Sequence, residues 1–204
     1  MSDHYYTRSP RSESDRRRFE TVLRGRRLKF ETDAGVFSRS EVDFGSRLLV
    51  ETADIPDGAR VLDVGCGYGP IGLAIAASLP NARVTMVDIN ERAVALARAN
   101  AERNGLRNVT VLESDLLEAV RGETFDAVLT NPPIRAGKAV VHRIFAEALE
   151  ALAPGGVLWV VIRKQQGAPS AMERLKELFG PDNVRMAARD KGYHILRAER
   201  QNIC

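Results

Sequence analysis

The sequence contains few cysteines and no long apolar run, and both absences restrict what the chain can be. Of the 204 residues only two are cysteines, and neither Cys66, in a glycine-rich segment, nor Cys204 is placed for a disulfide framework. The amino-terminal segment lacks the apolar core of a signal peptide, and no apolar run approaches the roughly 18 residues of a membrane span. Histidines and cysteines at metal-site spacing are also absent. We therefore expect a soluble, cytoplasmic protein that folds without disulfides or metal.

Positive charge is concentrated at one end of the chain. The net charge is +3, but residues 1 to 30 contain nine Lys and Arg against four Asp and Glu, whereas the remainder contains 21 against 23. Clustered arginines contribute most to affinity where they neutralise phosphates. A basic segment on a near-neutral body therefore suggests contact with RNA, and a solvated tail is the alternative.

Short apolar strands alternate with longer helical stretches from residue 60 onward. This alternation predicts an α/β fold, a doubly wound and mostly parallel seven-stranded sheet with helices on both faces. We predict strands at 60–64, 83–87, 108–112, 125–130, 156–162, 183–188 and 192–198, and helices at 69–79, 90–104, 138–152 and 168–179. Only a turn of Arg189, Asp190 and Lys191 separates the last two strands, so the last strand must be antiparallel.

The segment before this alternation predicts a small extension. FETVL and RLKFET, within residues 20 to 40, indicate a β-hairpin. Ser40 then offers an N-cap, with Asp43 three residues on, for a helix of about a dozen residues that begins at Glu41. We predict two parts, a basic extension with a hairpin over residues 1–40 and a catalytic domain over residues 41–204.

A glycine-rich turn joins the first strand of the sheet to its helix. VLDVGCGYGPIGLAIA contains Gly65, Gly67 and Gly69, and such a turn lets the backbone approach a ligand closely. Gly67, Gly69 and Gly72 also fit the dinucleotide pattern GxGxxG, so the turn alone leaves a nicotinamide-dependent oxidoreductase open.

Three acids at successive strand ends favour S-adenosylmethionine as the cofactor. Asp63 would repel a pyrophosphate, but it would attract the ammonium and sulfonium groups of S-adenosylmethionine. Asp88 can accept hydrogen bonds from both ribose hydroxyls, which argues against NADP and leaves NAD open. Asp115 can accept from the adenine amino group with Leu116 against the ring, although alone it more often serves as a helix N-cap. The predicted cofactor site also includes Cys66, Ile89 and Ser114.

The most specific motif is Asn131-Pro132-Pro133-Ile134, which follows the strand FDAVLT. The prolines fix φ, and we expect the Pro132 carbonyl to point outward with no helix to use it. That carbonyl and the Asn131 side-chain oxygen can accept both hydrogens of an NH₂ group and direct its lone pair at a methyl donor. The motif therefore predicts methylation of a planar, amide-like nitrogen without a general base. A proline turn capped by asparagine is the alternative.

These residues together resemble the motif set of the class I amino-methyltransferases, whose sheet also ends in one antiparallel strand. Three longer segments narrow the resemblance to the small-subunit (16S) ribosomal RNA guanine-N2 methyltransferases, the RsmC family, over residues 30 to 200. They are GVFSRSEVDFGSRLLVE (Gly35 to Glu51), NPPIRAGK (Asn131 to Lys138) and RKQQGAPS (Arg163 to Ser170).

The resemblance implies a catalytic role for Asn131 to Ile134, which would cradle a guanine amino group, and places Phe37 and Ser38 near the cofactor and the target base. Large family members have an aromatic ring at the position of Ile134, so stacking would come from Phe37 or elsewhere. Those members also carry an additional N-terminal domain, which we do not expect here. The target base is expected to be single-stranded or flipped out.

Several polar residues beside these motifs are candidates for RNA contacts, with a solvated loop as the alternative. They are Arg135, Lys138, Lys164 and Gln165. Other acceptors for the same chemistry are adenine N6 and a protein glutamine. Two further alternatives are a nicotinamide-dependent oxidoreductase and a non-catalytic RNA-binding relative.

Overall fold

The computed structural model describes residues 7–9, 13–38 and 40–202. Within these ranges the chain forms nine strands and five α-helices, with short 3₁₀ turns between some of them. The strands are β1 Arg17–Leu23, β2 Arg26–Thr32, β3 Arg60–Val64, β4 Arg83–Asp88, β5 Val109–Glu113, β6 Phe125–Thr130, β7 Leu152–Arg163, β8 Val184–Asp190 and β9 Tyr193–Glu199. The helices are α1 Phe44–Thr52, α2 Pro70–Ser78, α3 Glu91–Arg103, α4 Lys138–Ala151 and α5 Ala168–Phe179.

Seven of these strands form one sheet in the order β5-β4-β3-β6-β7-β9-β8. Strands β3 to β7 are parallel, and β9 is inserted antiparallel between β7 and β8. The predicted fold is therefore confirmed, including the antiparallel last strand. Chain order reverses at β3, which has β4 on one side and β6 on the other, and ligands of doubly wound sheets bind at such a point.

The sheet is apolar on both faces because helices cover both of them. Val61 and Leu62 are adjacent in β3 and both fully buried, yet they belong to different hydrophobic clusters. Helices α1, α2 and α3 supply the Val61 cluster, whereas α4 and α5 supply the Leu62 cluster. In the part of the chain that the structure describes, no helix combines the length and apolarity needed to cross a membrane.

The hairpin β1–β2 packs against the same face as α1 to α3. Its Leu23, Leu28 and Phe30 are buried in the Val61 cluster, so the hairpin shares a core with the sheet. Asn100 of α3 joins the two through both ends of its amide, accepting from the Glu31 N–H and donating to the Glu31 carbonyl. A domain boundary at residue 40 stays a prediction.

Two local predictions were wrong. Helix α1 begins at Phe44 and has nine residues, because the carboxylate of Asp43, not the hydroxyl of Ser40, accepts from the Ser46 N–H as the N-cap. The turn between β8 and β9 is Lys191–Gly192, and β8 continues through Asp190. These residues have φ of 45° and 79°, and positive φ at both positions is what a two-residue turn of type I′ requires.

Candidate active site

A pocket opens at the carboxyl ends of β3, β4 and β6, where the strand order reverses. It brings together most of the residues predicted from sequence. The lining contains these residues that were expected to bind the cofactor: Gly65, Cys66, Gly67, Asp88, Ile89, Ser114 and Leu116. The lining also contains these residues that were expected near the group to be methylated: Phe37, Ser38, Asn131, Pro132 and Pro133. The predicted residues outside its lining are Asp63, Gly69, Asp115, Ile134, Arg135, Lys138, Lys164 and Gln165.

The glycine-rich turn is fixed between β3 and β4 by backbone hydrogen bonds. The N–H groups of Gly65 and Cys66 both donate to the Val87 carbonyl, at 2.9 and 3.0 Å. Gly65 and Gly67 have φ of 73° and 57°, which glycine adopts without steric cost. The turn therefore presents main chain to the pocket, and its shape is set before any ligand binds.

Asp88 ends β4 and holds two turns in place, the glycine-rich turn after β3 and the turn after β4. Its Oδ2 accepts from the Gly67 N–H at 2.8 Å and its Oδ1 from the Asn90 N–H at 2.8 Å. Burial raises the pKa of this carboxyl to about 6, although those N–H groups oppose the rise. A carboxylate offers about four acceptor positions, and the N–H groups of Gly67, Asn90 and Ile89 use three, so capacity remains for a ribose hydroxyl.

Asp63 lies beneath the pocket and is completely buried. Its Oδ2 accepts from the Gly72 N–H at 2.9 Å, while its Oδ1 has no hydrogen-bond partner among the described residues. Burial raises the pKa of the carboxyl to about 7, and the nearby Asp88 adds to the rise. Gly72 is required for close packing here, because a Cβ would overlap the Met86 side chain and lie 3.1 Å from Asp63 Oδ2.

The turn after β5 separates the predicted adenine contacts. Leu116 has a φ of 50°, unusual for leucine, and it lines the pocket, as does Ser114. The Ser114 hydroxyl holds this turn by donating to the Leu116 carbonyl at 2.8 Å. Asp115 lies outside the lining, 43% exposed and 3.4 Å from the Arg143 guanidinium. The turn therefore offers Leu116 to the pocket without the Asp115 carboxylate.

Asn131 is held in one orientation in the part of the pocket that is expected to take the group to be methylated. We call this part the acceptor end, and the part formed by the turns after β3, β4 and β5 the cofactor end. Its Nδ2 donates to Asp43 Oδ2 and to Ser46 Oγ, both at 3.0 Å. Because a carboxylate only accepts, it fixes which end of the amide is nitrogen. The carboxamide oxygen is thereby turned away from Asp43 and is left to accept from a ligand.

The prolines after Asn131 do not leave the Pro132 carbonyl unused, as the sequence had suggested. This carbonyl accepts from the Ile134 N–H at 2.9 Å across a three-residue turn. A carbonyl oxygen has two lone pairs, so one remains. Ile134 lies outside the pocket lining and packs against the cluster formed by α4 and α5.

Sequence reasoning missed the role of Asp43, which appeared there only as part of a capping box. In the structure it caps α1, holds Asn131, and accepts from the Tyr193 hydroxyl at 3.2 Å through Oδ1. Tyr68 was also missed: it lines the pocket and packs edge-on against Phe19 and Phe30 of the hairpin. The only local signal was an acid three residues after Ser40, since the contacts join distant segments.

The predicted RNA contacts lie outside the pocket, on exposed turns at the same end of the sheet. Arg135 and Lys138 flank the start of α4, while Lys164 and Gln165 follow β7. Over residues 7–9, 13–38 and 40–202, no three His, Cys, Asp or Glu side chains come together as a metal site would require.

Residues 27–197 match the family described as the methyltransferase small domain. The chain is 50% identical over 202 residues to YbxB of Bacillus subtilis, described as uncharacterized, with 98% of this chain and 100% of YbxB covered. It is 37% identical over 170 residues to the ribosomal RNA large subunit methyltransferase G of Streptomyces avermitilis, covering 81% of this chain and 43% of that protein.

Among solved structures, a 16S rRNA N2 methyltransferase (RsmC) of T. thermophilus, in complex with AdoMet and guanosine, superposes with a TM-score of 0.83. It is 30% identical, and the match covers 94% of this chain and 52% of that one. The chain thus spans about half the length of the named ribosomal RNA methyltransferases that it matches. The resemblance stated from the motifs is confirmed: the chain belongs to the methyltransferase small domain family.

Proposed function

We propose that this protein transfers a methyl group from S-adenosylmethionine to the exocyclic N2 amino group of a guanine in RNA, with 16S ribosomal RNA as the first candidate. The observation that carries the proposal is the fixed amide of Asn131, whose nitrogen is held by Asp43 and Ser46. Its oxygen is an acceptor suited to an NH₂ group, and it lies in the same pocket as the glycine-rich turn and Asp88.

The residues of the pocket fit S-adenosylmethionine. The unpaired, buried Oδ1 of Asp63 suits a ligand with positive charge, and a pyrophosphate close to it would be repelled. Asp88 retains acceptor capacity for a ribose hydroxyl, and Leu116 offers an apolar surface for a ring. When bound, the cofactor supplies an electrophilic methyl group. These features favour methyl transfer over the nicotinamide alternative.

The N2 nitrogen of guanine, which would receive the methyl group, is a poor nucleophile because its lone pair is delocalised into the ring. Asn131 Oδ1 and the remaining lone pair of the Pro132 carbonyl would accept its two hydrogens and orient that lone pair at the methyl group. Both acceptors also stabilise the positive charge that develops on the nitrogen. The methylated nitrogen then releases a proton to water, so the reaction needs no side-chain base.

The name of the solved relative supports N2 of guanine in 16S rRNA, whereas several sequence relatives are named for the large subunit. We therefore keep 23S ribosomal RNA as the second candidate. Adenine N6 and a protein glutamine present the same planar NH₂ group and are the chemical alternatives.

The test uses methyl-labelled S-adenosylmethionine and ribosomes from cells that lack this gene. Small subunits, large subunits, naked ribosomal RNA and total protein are incubated separately, and labelled RNA is digested to nucleosides. We expect label in N2-methylguanosine from small-subunit RNA. Label in N6-methyladenosine or only in protein would refute the guanine assignment, and label from large-subunit RNA alone would move the substrate to 23S RNA.

Two variants control for a contaminating methyltransferase. Asn131→Ala removes the side-chain oxygen that is proposed to accept a hydrogen bond from the NH₂ group, and it should abolish the label. Asn81→Ala removes an exposed asparagine that precedes β4 and whose amide donates to Asp57, at the opposite end of the strands from the pocket. This variant should leave the label unchanged. Equal activity of the two variants would show that the label comes from another enzyme.

A further inference from the structure

A compact group of aromatic and basic side chains lies beside the acceptor end of the pocket. Phe44 and Tyr193 pack with ring centroids 5.6 Å apart. The Arg163 guanidinium lies 4.5 Å from the Tyr193 centroid, and the Lys191 ammonium lies 4.6 Å from the Phe44 centroid. The Lys164 N–H donates to the Gly192 carbonyl at 2.9 Å, which joins the turn after β7 to the turn after β8. We call Phe44, Arg163, Lys164, Lys191 and Tyr193 the basic rim.

The basic rim is connected directly to the residues that would hold the target base. The Tyr193 hydroxyl donates to Asp43 Oδ1, and the other oxygen of Asp43 holds Asn131. Gly45 lets this ring sit against α1, because a Cβ there would lie 2.6 Å from Tyr193 Cε1. A nucleic acid strand whose base reaches Asn131 would therefore run close to Arg163, Lys164 and Lys191.

The cations of the basic rim differ from those of the amino-terminal hairpin in their partners. On the hairpin, Arg17 is 3.6 Å from Asp15, while Arg27 and Lys29 lie 3.6 and 3.7 Å from Glu20. Among the described residues, no carboxylate lies within ion-pair distance of Arg163, Lys164 or Lys191, and all three are exposed. Arg163 and Lys191 are held by aromatic faces, which leave their charge available to an anion.

Lys191 adopts a backbone conformation that disfavours lysine. Its φ is 45°, in the left-handed region where glycine, asparagine and aspartate are common and where other residues incur a steric cost. This conformation places the ammonium over Phe44. Arg24 in the hairpin turn has a similar φ of 48°, so it is the contact with Phe44, and not the backbone conformation, that distinguishes Lys191.

We propose that the basic rim binds the phosphate backbone of the single-stranded RNA segment that carries the target base. This inference rests on the proposed function for its partner, and it moves the main RNA contact from the basic amino terminus to the turns after β7 and β8. Exposed cations beside a pocket that would take an unpaired base suit a single strand, because its phosphates come within their reach while the base reaches Asn131.

The test is the binding of labelled oligouridine, a single strand without guanine, over a series of salt concentrations. The rim variant combines Arg163→Gln, Lys164→Gln and Lys191→Asn, the last of which suits the left-handed turn. The matched control removes the same charge from the hairpin with Arg17→Gln, Arg27→Gln and Lys29→Gln. Melting temperature and affinity for S-adenosylmethionine check that both variants are folded.

We expect the rim variant to bind roughly 10- to 100-fold more weakly near 0.1 M salt, and the slope of log K against log salt to fall by about 2, since each single-strand phosphate contact contributes about 0.7. The control should change much less. A rim variant with the wild-type slope, or a control that loses as much, would overturn the proposal.

A measurement on the wild-type protein avoids dependence on variant folding. Oligouridine should protect Lys164 and Lys191 from an amine-reactive reagent and leave Lys29 on the hairpin and Lys176 on α5 reactive. Absence of protection at the two rim lysines would overturn the proposal. Protein that binds oligouridine through the rim but transfers no methyl group to RNA would refute the proposed function and leave the docking surface standing.

Discussion

The cofactor end and the acceptor end of the pocket are built in different ways. The cofactor end consists of the turns that directly follow β3, β4 and β5, and backbone hydrogen bonds between neighbouring strands hold it. At the acceptor end, side chains from distant segments make the contacts. Asp43 bonds Asn131, which lies 88 residues further along the chain, and Tyr193, which lies 150 residues further. A pocket of this kind allows the acceptor end to change its substrate while the cofactor end stays the same.

The largest effect that separates the two ends is expected from Asn131→Ala. The variant lacks the Asn131 oxygen, which stabilises the positive charge that develops on the methylated nitrogen. Its loss should lower kcat roughly 10²- to 10³-fold, the size of effect that loss of one oxyanion-hole donor has in other enzymes. Affinity for S-adenosylmethionine, measured by calorimetry, should change less than about threefold, because Asp88 and the glycine-rich turn are untouched. A parallel loss of cofactor affinity would show that the two ends are not independent.

The second effect is expected from Asp43→Asn, which keeps an oxygen for the Ser46 N–H and thus the N-cap of α1. The oxygen kept for Ser46 also accepts from the Asn131 amide, but it loses its charge, and an NH₂ group replaces the oxygen that accepts from Tyr193, so kcat should fall roughly 10-fold, as for other residues that orient a functional group. The melting temperature should stay close to that of the wild type, which distinguishes positioning from folding. Tyr193→Phe, which removes a single bond to Asp43, should have a smaller effect of the same kind.

The difference in construction also explains how much of the site the sequence could predict. Asp63, Gly65 and Asp88 were identifiable because each stands at a fixed distance from a strand whose apolar pattern is local. The strands of the sheet were predicted for the same reason, with small differences at their ends. The cofactor could therefore be inferred from the acidic side chains at these strand ends together with the glycine-rich turn.

The wrong N-cap of α1 depended on contacts between distant segments. Ser40 satisfied the local pattern of an N-cap, but Asp43 takes that position, where it also bonds Asn131 and Tyr193. The prediction of a free Pro132 carbonyl failed locally, because this carbonyl accepts from the Ile134 N–H two residues on. Contact of the basic amino terminus with RNA stays a prediction, and the ion pairs of the folded hairpin, such as Arg27 with Glu20, could not be read from the number of arginines.

A smaller effect concerns pH and sharpens the description of the cofactor end. Burial raises the pKa of Asp63 to about 7 and that of Asp88 to about 6, so protons compete with a positively charged ligand for these carboxylates. Affinity for S-adenosylmethionine should therefore rise with pH, and be roughly tenfold weaker at about pH 6 than at about pH 8 through Asp63 alone. Calorimetric titrations across this range provide the check, and a flat profile would contradict the expectation.

The smallest effect is on the stability of the protein without cofactor. Native Asp63 retains its proton up to a pKa of about 7, whereas the unfolded side chain loses it near 3.8, so stability should decline as pH rises through this interval. Asp63→Asn retains an acceptor for the Gly72 N–H and removes the buried charge, so it should raise the melting temperature by roughly 5 °C at about pH 8. The gain should vanish near pH 4, where the wild-type carboxyl is neutral, and S-adenosylmethionine should stabilise the variant less than the wild type. A variant less stable than the wild type at pH 8 would mean that the Asp63 charge has a partner in the cofactor-free protein, and the cofactor end would then be complete without its ligand.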